Sequence, residues 1–513
     1  MIEYYLAGGY LRGMQVLIDA SVWIAFGCCI AAIFRNMLGA ENTRTLFGGT
    51  SRYGLLAGWG IGMLLPVCSL GVIPVLQELR RSGVKSGTII AFGLTAPLFN
   101  PLSILYGLSM SSPVTVIIFS AAAMVIVTAL GAAWGKWFDA AAKKSTLVET
   151  GQNSTSGVRR SLAVLHTAST EMISSSSVFI AIGILASIVT SVVFAHGSLS
   201  GSVEPDKLFA PAFMACYVTP IYSTPLLTMS QIGSMFQHGN SVGAAFSLLI
   251  LGAGVNLGLL CWFARALGFG RVMVFVALLM SLTIGLAYAM DKPLYPKGVT
   301  AAGHTHAFDI YTHPYHSGRA DLLGDAAEEV NEYVQKKGAY GLQFLGVLAF
   351  VGVVFRIIEL RWDSSSWFQS REVASSDWDI ALPPWVIGIV ACVGLIALSV
   401  VGTFIYYPAP DSLLGDLSPL NGNCVLAAKT GDWEGVEKWV PFCDDLSRRL
   451  EVGVFLREGS VSEFKRAKAK AYREKLNELR DNIAAGQTTE INAQAMDLLQ
   501  TYLQMSQAFR EQD

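Results

Sequence analysis

The sequence predicts an all-α polytopic membrane protein with two inverted repeats, each carrying a proline-broken re-entrant hairpin, and a small helical soluble C-terminal tail. Three observations lead to this fold class. Hydrophobic residues make up 52% of the 513 residues and charged residues only 14%, against roughly 25% charged in soluble domains. Several apolar runs are long enough to cross a bilayer, and one interrupted run occurs twice. The net charge of −2 does not indicate a nucleic-acid partner.

Uninterrupted apolar runs of about the 20 residues that a spanning helix needs recur along the chain. They lie near 13–34, 88–108, 114–135, 172–194, 243–263, 272–290, 341–358 and 384–406. The first run lacks a basic region before it and an A-x-A cleavage site after it. We therefore expect it to be retained as a span, with a lipid bilayer around all eight runs.

Two further apolar runs, near 53–82 and 208–236, are interrupted. The first contains "LLPVCSLGVIPVLQELRRSG", in which Pro66 and Pro74 break any helix that runs through them. Backbone exposed by such a break cannot face lipid and must be covered by protein or line a wet cavity. The second run contains "PIYSTP" at the corresponding place. The two interruptions therefore predict two places inside the membrane where broken backbone is covered by protein or lines a wet cavity.

The first half of the chain recurs in the second. "GVKSGTIIAFGLTAPLFNP" (Gly83–Pro101) aligns without gaps on "GNSVGAAFSLLILGAGVNL" (Gly239–Leu257), with Asn100 opposite Asn256. Chance similarity between glycine-rich membrane segments is the alternative. Two repeats that each hold an interrupted segment in the same place are typical of secondary transporters, which bind substrate there.

The basic residues favour one of two topologies. If each interrupted run crosses the membrane once, the short loops carry nine Lys and Arg on either side. If each run is a re-entrant hairpin, the count becomes 16 against 2, or 16 against 7 with the 291–340 loop included. Cytoplasmic loops are rich in Lys and Arg. The hairpin topology is therefore favoured; it inverts the halves and puts the N-terminus, that loop and the tail outside the cytoplasm of a bacterial inner membrane.

The segment around the first interruption resembles the predicted permease family that includes the organoarsenical exporters and YraQ-type proteins. The matching positions are Gly62, Pro66, Cys68, Ser69, Gly71, Pro74, Arg80, Arg81, Gly83, Gly87, Ala96, Pro97, Asn100 and Pro101. The resemblance covers about residues 12–290 and implies export of a small solute such as a metalloid, organometalloid or metal-related compound. Leu70 stands where the family has a second cysteine, so the thiolate pair suited to a soft centre is missing.

The hairpin tips supply the predicted substrate-binding residues. These are Pro66, Cys68, Ser69, Tyr222, Ser223 and Thr224, together with Asn100 and Asn256 from the spans that follow. Half-helix ends carry unsatisfied N–H and C=O groups, and asparagine amides offer both donors and acceptors. Two alternatives stay open: the small residues only allow close helix packing, and the asparagines only satisfy the broken backbone.

Two carboxylates and four histidines are further candidates. Asp19, about 12 Å into the first span, and Glu171 are predicted to couple transport to protons, because a carboxylate inside a membrane is costly. Alternatively, Asp19 pairs with a neighbour or marks the wet mouth of its helix. Glu171 lies closer to the interface. Four histidines have spacings suited to a Zn- or Cu-like ion, unless they belong to a merely polar loop. They are His304, His306, His313 and His316.

The tail beyond residue 409 has its own features. The charge spacing of "SEFKRAKAKAYREKLNELRDNI" predicts a solvated helix. Cys424 and Cys443 are candidates for a disulfide if the tail lies outside the cytoplasm.

The chain is predicted to have six parts. They are a first transmembrane repeat (1–140), a cytoplasmic linker (141–170), a second repeat (171–290), an extracytoplasmic loop (291–340), two more transmembrane helices (341–408) and the soluble tail (409–513). Because no G-x-x-x-x-G-K-[ST] motif occurs, we expect alternating access driven by an ion gradient, with no required cofactor and no enzymatic activity. The alternatives are a thiol-redox transducer that uses Cys68 and the tail cysteines, and a metal sensor. A monomer and a homodimer are equally compatible with the sequence.

Overall fold

The structure is a computed structural model in which all regular secondary structure of the described residues is helical. It describes residues 2–49, 53–65, 67–99, 113–138, 158–195, 198–237, 239–295, 308–315, 322–337, 339–359, 403–404, 406–487 and 490–510, besides three single positions at 393, 397 and 400. The chain divides into two compact units. One comprises Met1–Ser103 and Val114–Ala397, and the other Ile104–Pro113 and Leu398–Asp513.

The described part of the first unit contains fifteen α-helices. They are α1 (Ile2–Ile33), α2 (Gly39–Leu46), α3 (Gly54–Leu64), α4 (Val72–Arg81), α5 (Ser86–Leu98), α6 (Pro113–Phe138), α7 (Val158–Glu171), α8 (Ser175–Val193), α9 (Ala210–Val218), α10 (Pro225–Gln237), α11 (Val242–Ser247), α12 (Leu257–Leu267), α13 (Phe269–Asp291), α14 (Leu322–Lys337) and α15 (Tyr340–Glu359). Two π-helical stretches, Phe34–Leu38 and Leu248–Ala253, continue α1 and α11.

Several of these helices can cross a membrane. Among the described residues, five stretches are long and apolar enough: Ile2–Leu46, Val114–Trp137, Ser175–Val193, Phe269–Asp291 and Tyr340–Glu359. A sixth is Val242–Ala253 with Leu257–Leu267, two helices bent by 56° at a short break. The chain is therefore a multi-pass helical membrane protein. The apolar run near 384–406 lies mostly outside the described residues.

Helix α3 runs alongside α5 in the same direction. Gly54 at the start of α3 contacts Thr88 at the start of α5, and Gly62 near the end of α3 contacts Ala96 near the end of α5. Glycines on α3 allow the two backbones to approach closely, as small residues do between membrane helices. At 11 residues, α3 is about 16 Å long, half of a bilayer's hydrocarbon core.

Helix α4 returns in the opposite direction. A tight turn at Gly83, whose φ of 73° favours glycine, joins α4 to α5, and Leu76 of α4 packs on Gly93 of α5. Because α3 is parallel to α5 and α4 is antiparallel to it, the chain reverses between α3 and α4. We call the residues at this reversal, 65–71, the first tip. Gly27 of α1 lies directly against the carbonyl oxygen of Gly71, where a Cβ would overlap it.

A second reversal separates α9 and α10. Pro211 of α9 contacts Gly243, and Val218 contacts Gly252, so α9 runs parallel to α11 and its π-helical continuation. Helix α10 packs against the same stretch and joins α11 through a turn at Gly239, with φ of 65°. Helix α10 therefore runs antiparallel to α9. We call residues 219–224, between them, the second tip.

The two halves share further packing details. Gly87 of α5 approaches the backbone of Gly131 on α6, and Gly243 of α11 approaches the backbone of Ala287 on α13. The partner lies the same number of residues further along the chain in both halves. These contacts relate the aligned segments in space as well as in sequence.

Helices α1 and α8 pack antiparallel. Gly13, early in α1, contacts Ile188, late in α8, and Cys28, late in α1, contacts Met172, just before α8, with 3.4 Å between the sulfur atoms. The bundle thus has a Tyr4 end, at which α1 begins and α8 ends, and an Arg35 end, at which α1 passes into its π-helical stretch.

The segment after α13 is packed, where the sequence left open a merely polar loop. Residues 308–315 lie at the Tyr4 end, and Phe308 and Tyr311 in this stretch are buried. Helix α14 covers the first turns of α1 through a small apolar cluster that includes Ala7, Leu11 and Ala326. This packing extends α1 back to Ile2, well before the apolar run predicted to begin near residue 13.

The described part of the second unit contains four helices. They are α16 (Pro410–Thr430), α17 (Trp433–Glu458), α18 (Glu463–Ala484) and α19 (Ile491–Arg510). Each packs on its neighbours in the chain and α16 also on α19, which is a four-helix bundle. Gly431 and Gly459 end α16 and α17 in the left-handed conformation, and Asp432 and Ser462 cap the helices that follow.

Helix α18 is the segment for which the charge spacing predicts a solvated helix. It is a helix, but one face is buried: Ala469, Tyr472 and Leu476 belong to the bundle core. Lys465 is only 1% exposed, with its ammonium 3.4 Å from Glu458. The prediction missed this face because its apolar residues are few and separated by charges.

Candidate functional site

The two tips approach each other along one turn of α8. Gly183 of α8 contacts both Leu70 of the first tip and the side chain of Asn256. One turn further on, the Ser187 hydroxyl accepts a hydrogen bond of 2.7 Å from the backbone N–H of Tyr222 in the second tip. Four residues of helix span about 6 Å. Side chains of both tips therefore lie close to this one turn.

Cys68 of the first tip and Tyr222 of the second tip lie near each other. Both side chains are buried, and the Tyr222 hydroxyl lies near the Cys68 thiol without forming a hydrogen bond to it. The thiol also accepts a hydrogen bond of 3.3 Å from the N–H of Gly71. A thiol from one half and a phenol from the other thus form one polar surface.

Three polar atoms near the tips are buried and lack a partner among the described residues. They are Ser69 Oγ, Tyr222 Oη and Asn256 Nδ2. The Oδ1 atom of Asn256 accepts a hydrogen bond from the N–H of Leu259 and caps α12, which fixes the amide with its NH₂ group as the remaining donor. An unpaired buried donor is costly, so these groups suit a ligand with acceptor atoms.

Of the other predicted site residues, two have hydrogen-bond partners and two are not described by the structure. Ser223 Oγ accepts a hydrogen bond from Thr228, and Thr224 Oγ1 accepts one from the N–H of Leu227. Both bonds lie within the second tip and α10. Pro66 and Asn100 lie outside the described residues.

A cavity of about 20 Å³, room for about one water molecule, lies beside Tyr222. Its polar lining comes from Arg12 and Asp19 of α1, Ser187 and Ser191 of α8, Tyr222 and Thr224 of the second tip, and Tyr311. Asp19 Oδ2 accepts a hydrogen bond of 2.7 Å from the Tyr333 hydroxyl of α14. Of the two predicted proton-coupling carboxylates, Asp19 is thus the one that the structure brings next to a tip.

Glu171 lies away from the cavity, in an ion-pair cluster at the Arg35 end. Its carboxylate is 2.7 Å from Arg35 and 2.9 Å from Arg81, and Glu78 is 2.8 Å from Arg35. Ser174 and Ser176 also bind Glu171. The cluster ties α4 to α1 and α7. The Glu171 carboxylate thus has its partners within the chain.

His313 is the one predicted histidine ligand within the described residues. Its Nε2 atom is 3.0 Å from the carbonyl oxygen of Tyr4, and its Nδ1 atom lies 3.1 Å from the carbonyl oxygen and 3.2 Å from the N–H of Tyr315. Both ring nitrogens are thus used within the chain. No cluster of three metal-ligating side chains occurs in the described ranges. His304, His306 and His316 lie outside them, so a metal site there stays a prediction.

Sequence reasoning missed Arg12, Arg35, Glu78 and Tyr333 as site residues. A signal was present for two of them. Arg35 directly follows an apolar run and Glu78 lies within the first interrupted run, where isolated charges call for partners. Tyr333 carried no comparable signal.

We expect the tail cysteines to be unreactive in the folded protein. Cys424 and Cys443 lie buried in the bundle core and are not joined by a disulfide. Burial, with a smaller contribution from neighbouring Cys443, raises the pKa of Cys424 to about 12. Because the thiolate is the reactive form, N-ethylmaleimide should leave both residues unmodified until denaturant is added. Mass spectrometry of a Ser418→Cys variant, whose new thiol lies on the exposed face of α16, gives the control, and equally fast modification of all three thiols would contradict the expectation.

Comparison with known proteins agrees with a membrane permease. A family model described as "predicted permease" matches residues 13–291, more than half of the chain. Over 89 residues, the chain is 30% identical to the UPF0718 protein YcgR of Bacillus subtilis (strain 168). Over a stretch of the same length, it is 25% identical to a protein of Streptococcus mutans serotype c named for a proposed role as subunit of a two-component membrane permease complex.

Both matches cover 17% of this chain and 30% of the relative, so the chain spans less than a third of the curated relatives. No solved structure matches the chain. The family match contains most of α1, both tips, the bent α11–α12 pair and α13. The chain belongs to the predicted permease family.

Proposed function

We propose that this protein is a secondary permease whose substrate path runs between two inverted repeats and opens alternately to the two sides of a bacterial inner membrane. The observation that carries the proposal is the approach of both tips to one turn of α8, through Gly183 and Ser187. In secondary transporters, interrupted helices from two inverted halves hold the substrate near the membrane midplane.

The packing directions support the inverted arrangement. Helices α1 and α8, which begin the two halves, run antiparallel, and each half contains one chain reversal next to a parallel helix pair. Helices α3 and α9, of 11 and 9 residues, have about the length needed to reach mid-membrane and return. The same arrangement puts the two tips in the membrane as re-entrant hairpins, one from each side.

The lysine and arginine distribution supports an orientation. Arg35, Arg80 and Arg81 belong to the Arg35 end, and Arg265 lies close to Arg80. Since cytoplasmic loops are rich in basic residues, the Arg35 end faces the cytoplasm in our proposal. The Tyr4 end, with the N-terminus and residues 308–315, then faces outward.

The packing also supports an occluded conformation. At the Arg35 end, the Glu78 and Glu171 carboxylates hold α4 against α1 and α7. At the Tyr4 end, residues 308–315 lie over the cavity. Alternating access requires these two closures to open in turn, and Asp19 is the carboxylate that we propose to exchange protons with the cavity.

The proposed substrate is a small metalloid or organometalloid species that the protein exports. Cys68 supplies one soft sulfur donor, and Ser69, Tyr222 and Asn256 supply hydrogen-bond donors to oxygen substituents. Ser223 and Thr224 shape the second tip around them. With Leu70 in place of a second cysteine, the site holds the solute by one thiol and several polar contacts.

Transport in everted membrane vesicles tests the proposal. Vesicles containing the protein should accumulate a trivalent methylarsenical when a proton gradient is applied, and Cys68→Ser should reduce the rate about tenfold or more, the effect of losing 1.4 kcal/mol of interaction. Cys216→Ser, which changes an exposed cysteine of α9, is the matched control and should keep the rate. Equal rates in Cys68→Ser and wild type would overturn the role of the thiol, and no gradient-driven uptake by folded protein would overturn the substrate class.

A further inference from the structure

Residues 308–315 are anchored to three different elements around the cavity. The Arg12 guanidinium of α1 donates two hydrogen bonds, of 3.1 and 3.0 Å, to the carbonyl oxygen of Thr312. The N–H of His313 donates to the carbonyl oxygen of Phe194, which follows α8, at 2.8 Å. Anchors on α1 and α8 hold the segment across the antiparallel pair that begins the two halves.

The third element is the second hairpin. The Tyr217 hydroxyl of α9 donates to the carbonyl oxygen of Tyr311 at 2.7 Å, and the Tyr311 hydroxyl donates to Gln231 of α10 at 2.8 Å. Ile310 and Tyr311 form the cavity wall on this side. Any solute that leaves the cavity toward the Tyr4 end must therefore displace this segment.

Helix α14 is tied to the cavity by one carboxylate. Asp19 lines the cavity and accepts the 2.7 Å hydrogen bond from Tyr333 of α14. A cation, proton or hydrogen-bond donor that binds Asp19 from the cavity competes with this hydroxyl. The apolar contacts of α14 include Tyr315 together with Ala7 and Leu11, so movement of α14 also loosens residues 308–315.

We infer that residues 308–315 and α14 form the gate that closes the cavity at the Tyr4 end, with the Tyr333–Asp19 hydrogen bond as its latch. The inference rests on the proposed function, since a gate presupposes a transport path. Both parts of the gate follow residue 291, where the match to the family model ends. Of the latch, Tyr333 therefore lies outside the family match and Asp19 lies within it.

Thiol accessibility tests the gate without requiring any transport. Val16, a cavity-lining residue of α1, is replaced by cysteine in a protein whose Cys29, Cys216, Cys261 and Cys392 are serine. A small charged methanethiosulfonate is then added to sealed cells and, separately, to everted vesicles. The rate of modification is compared with and without Tyr333→Phe, which removes only the latch hydroxyl.

We expect the rate of thiol modification to change from one side of the membrane only. Tyr333→Phe should raise the rate of modification from the side of the Tyr4 end about tenfold, the size expected for a lost hydrogen bond to a charged group, and leave the rate from the other side unchanged. Arg12→Gln, which releases Thr312, should act in the same direction. Tyr340→Phe, on a tyrosine that is 83% exposed, is the matched control and should change neither rate.

Two outcomes would overturn the gate. The first is that Tyr333→Phe and Arg12→Gln are both modified at the same rate as the control. The second is that modification becomes faster from the side of the Arg35 end. Size-exclusion chromatography of each variant identifies misfolding, which would speed modification from both sides. Failure of arsenical transport leaves these rates unaffected, so the proposed substrate and the gate fail separately.

Discussion

Replacing Glu171 with glutamine is expected to destabilise the membrane unit by about 2 kcal/mol, because Arg35 and Arg81 each lose a charged hydrogen-bond partner and keep only Glu78. The Glu171 side chain is 4% exposed and contacts Arg35 and Arg81 at once. Glutamine has nearly the same shape and keeps one acceptor oxygen, so the loss reports the missing charge. The measurement is the apparent free energy of unfolding in detergent, from a denaturant titration.

Glu204→Gln is the matched control for Glu171→Gln. Glu204 pairs with Lys207 at 3.7 Å, and both side chains are substantially exposed. Such surface pairs contribute about 0–1 kcal/mol. If both variants are equally stable and Glu171→Gln instead abolishes gradient-driven transport, then Glu171 is a proton-coupling residue as the sequence first suggested, and the ion-pair interpretation is wrong.

The contrast between Glu171 and the two tips shows what the sequence could predict. Pro66, Pro74 and "PIYSTP" act on their own local backbone, so the interruption of both runs is visible in the sequence. The pairing of Glu171 with Arg35 and Arg81 joins residues far apart in the chain. A single sequence contains the charges but no sign of which partner each one meets.

The residues of the candidate site also divide into those that the sequence could predict and those that it could not. Cys68, Ser69, Tyr222 and Asn256 were found because a motif and a repeat mark them. The cavity wall formed by Tyr311 was not predicted, because the sequence around Tyr311 does not distinguish a packed segment from a polar loop. Asp19 was recognised as a costly carboxylate, but its hydrogen bond to Tyr333 depends on the docking of α14, which follows from tertiary packing alone.

Asn256 combines a structural and a proposed functional role in one side chain, and substitution can separate them. Its Oδ1 atom caps α12, and its Nδ2 atom is buried without a partner among the described residues. Asn256→Ser keeps a capping oxygen, since serine is a good N-cap residue, but removes the amide donor. We expect wild-type stability within about 0.5 kcal/mol and a rate of arsenical transport lower by about tenfold to a hundredfold, the effect of losing one strong hydrogen bond.

Asn256→Ala is the matched variant, because it removes the cap and the donor together. It should transport as poorly as Asn256→Ser and also lose about 1 kcal/mol of stability. If Asn256→Ser transports at the wild-type rate and only Asn256→Ala is impaired, the side chain acts solely as a helix cap, and the substrate lies elsewhere between the tips. If both variants transport poorly and only the alanine variant is less stable, the Nδ2 donor belongs to the transport path. A purely structural role cannot explain this result, because Asn256→Ser would then lose transport while keeping its stability.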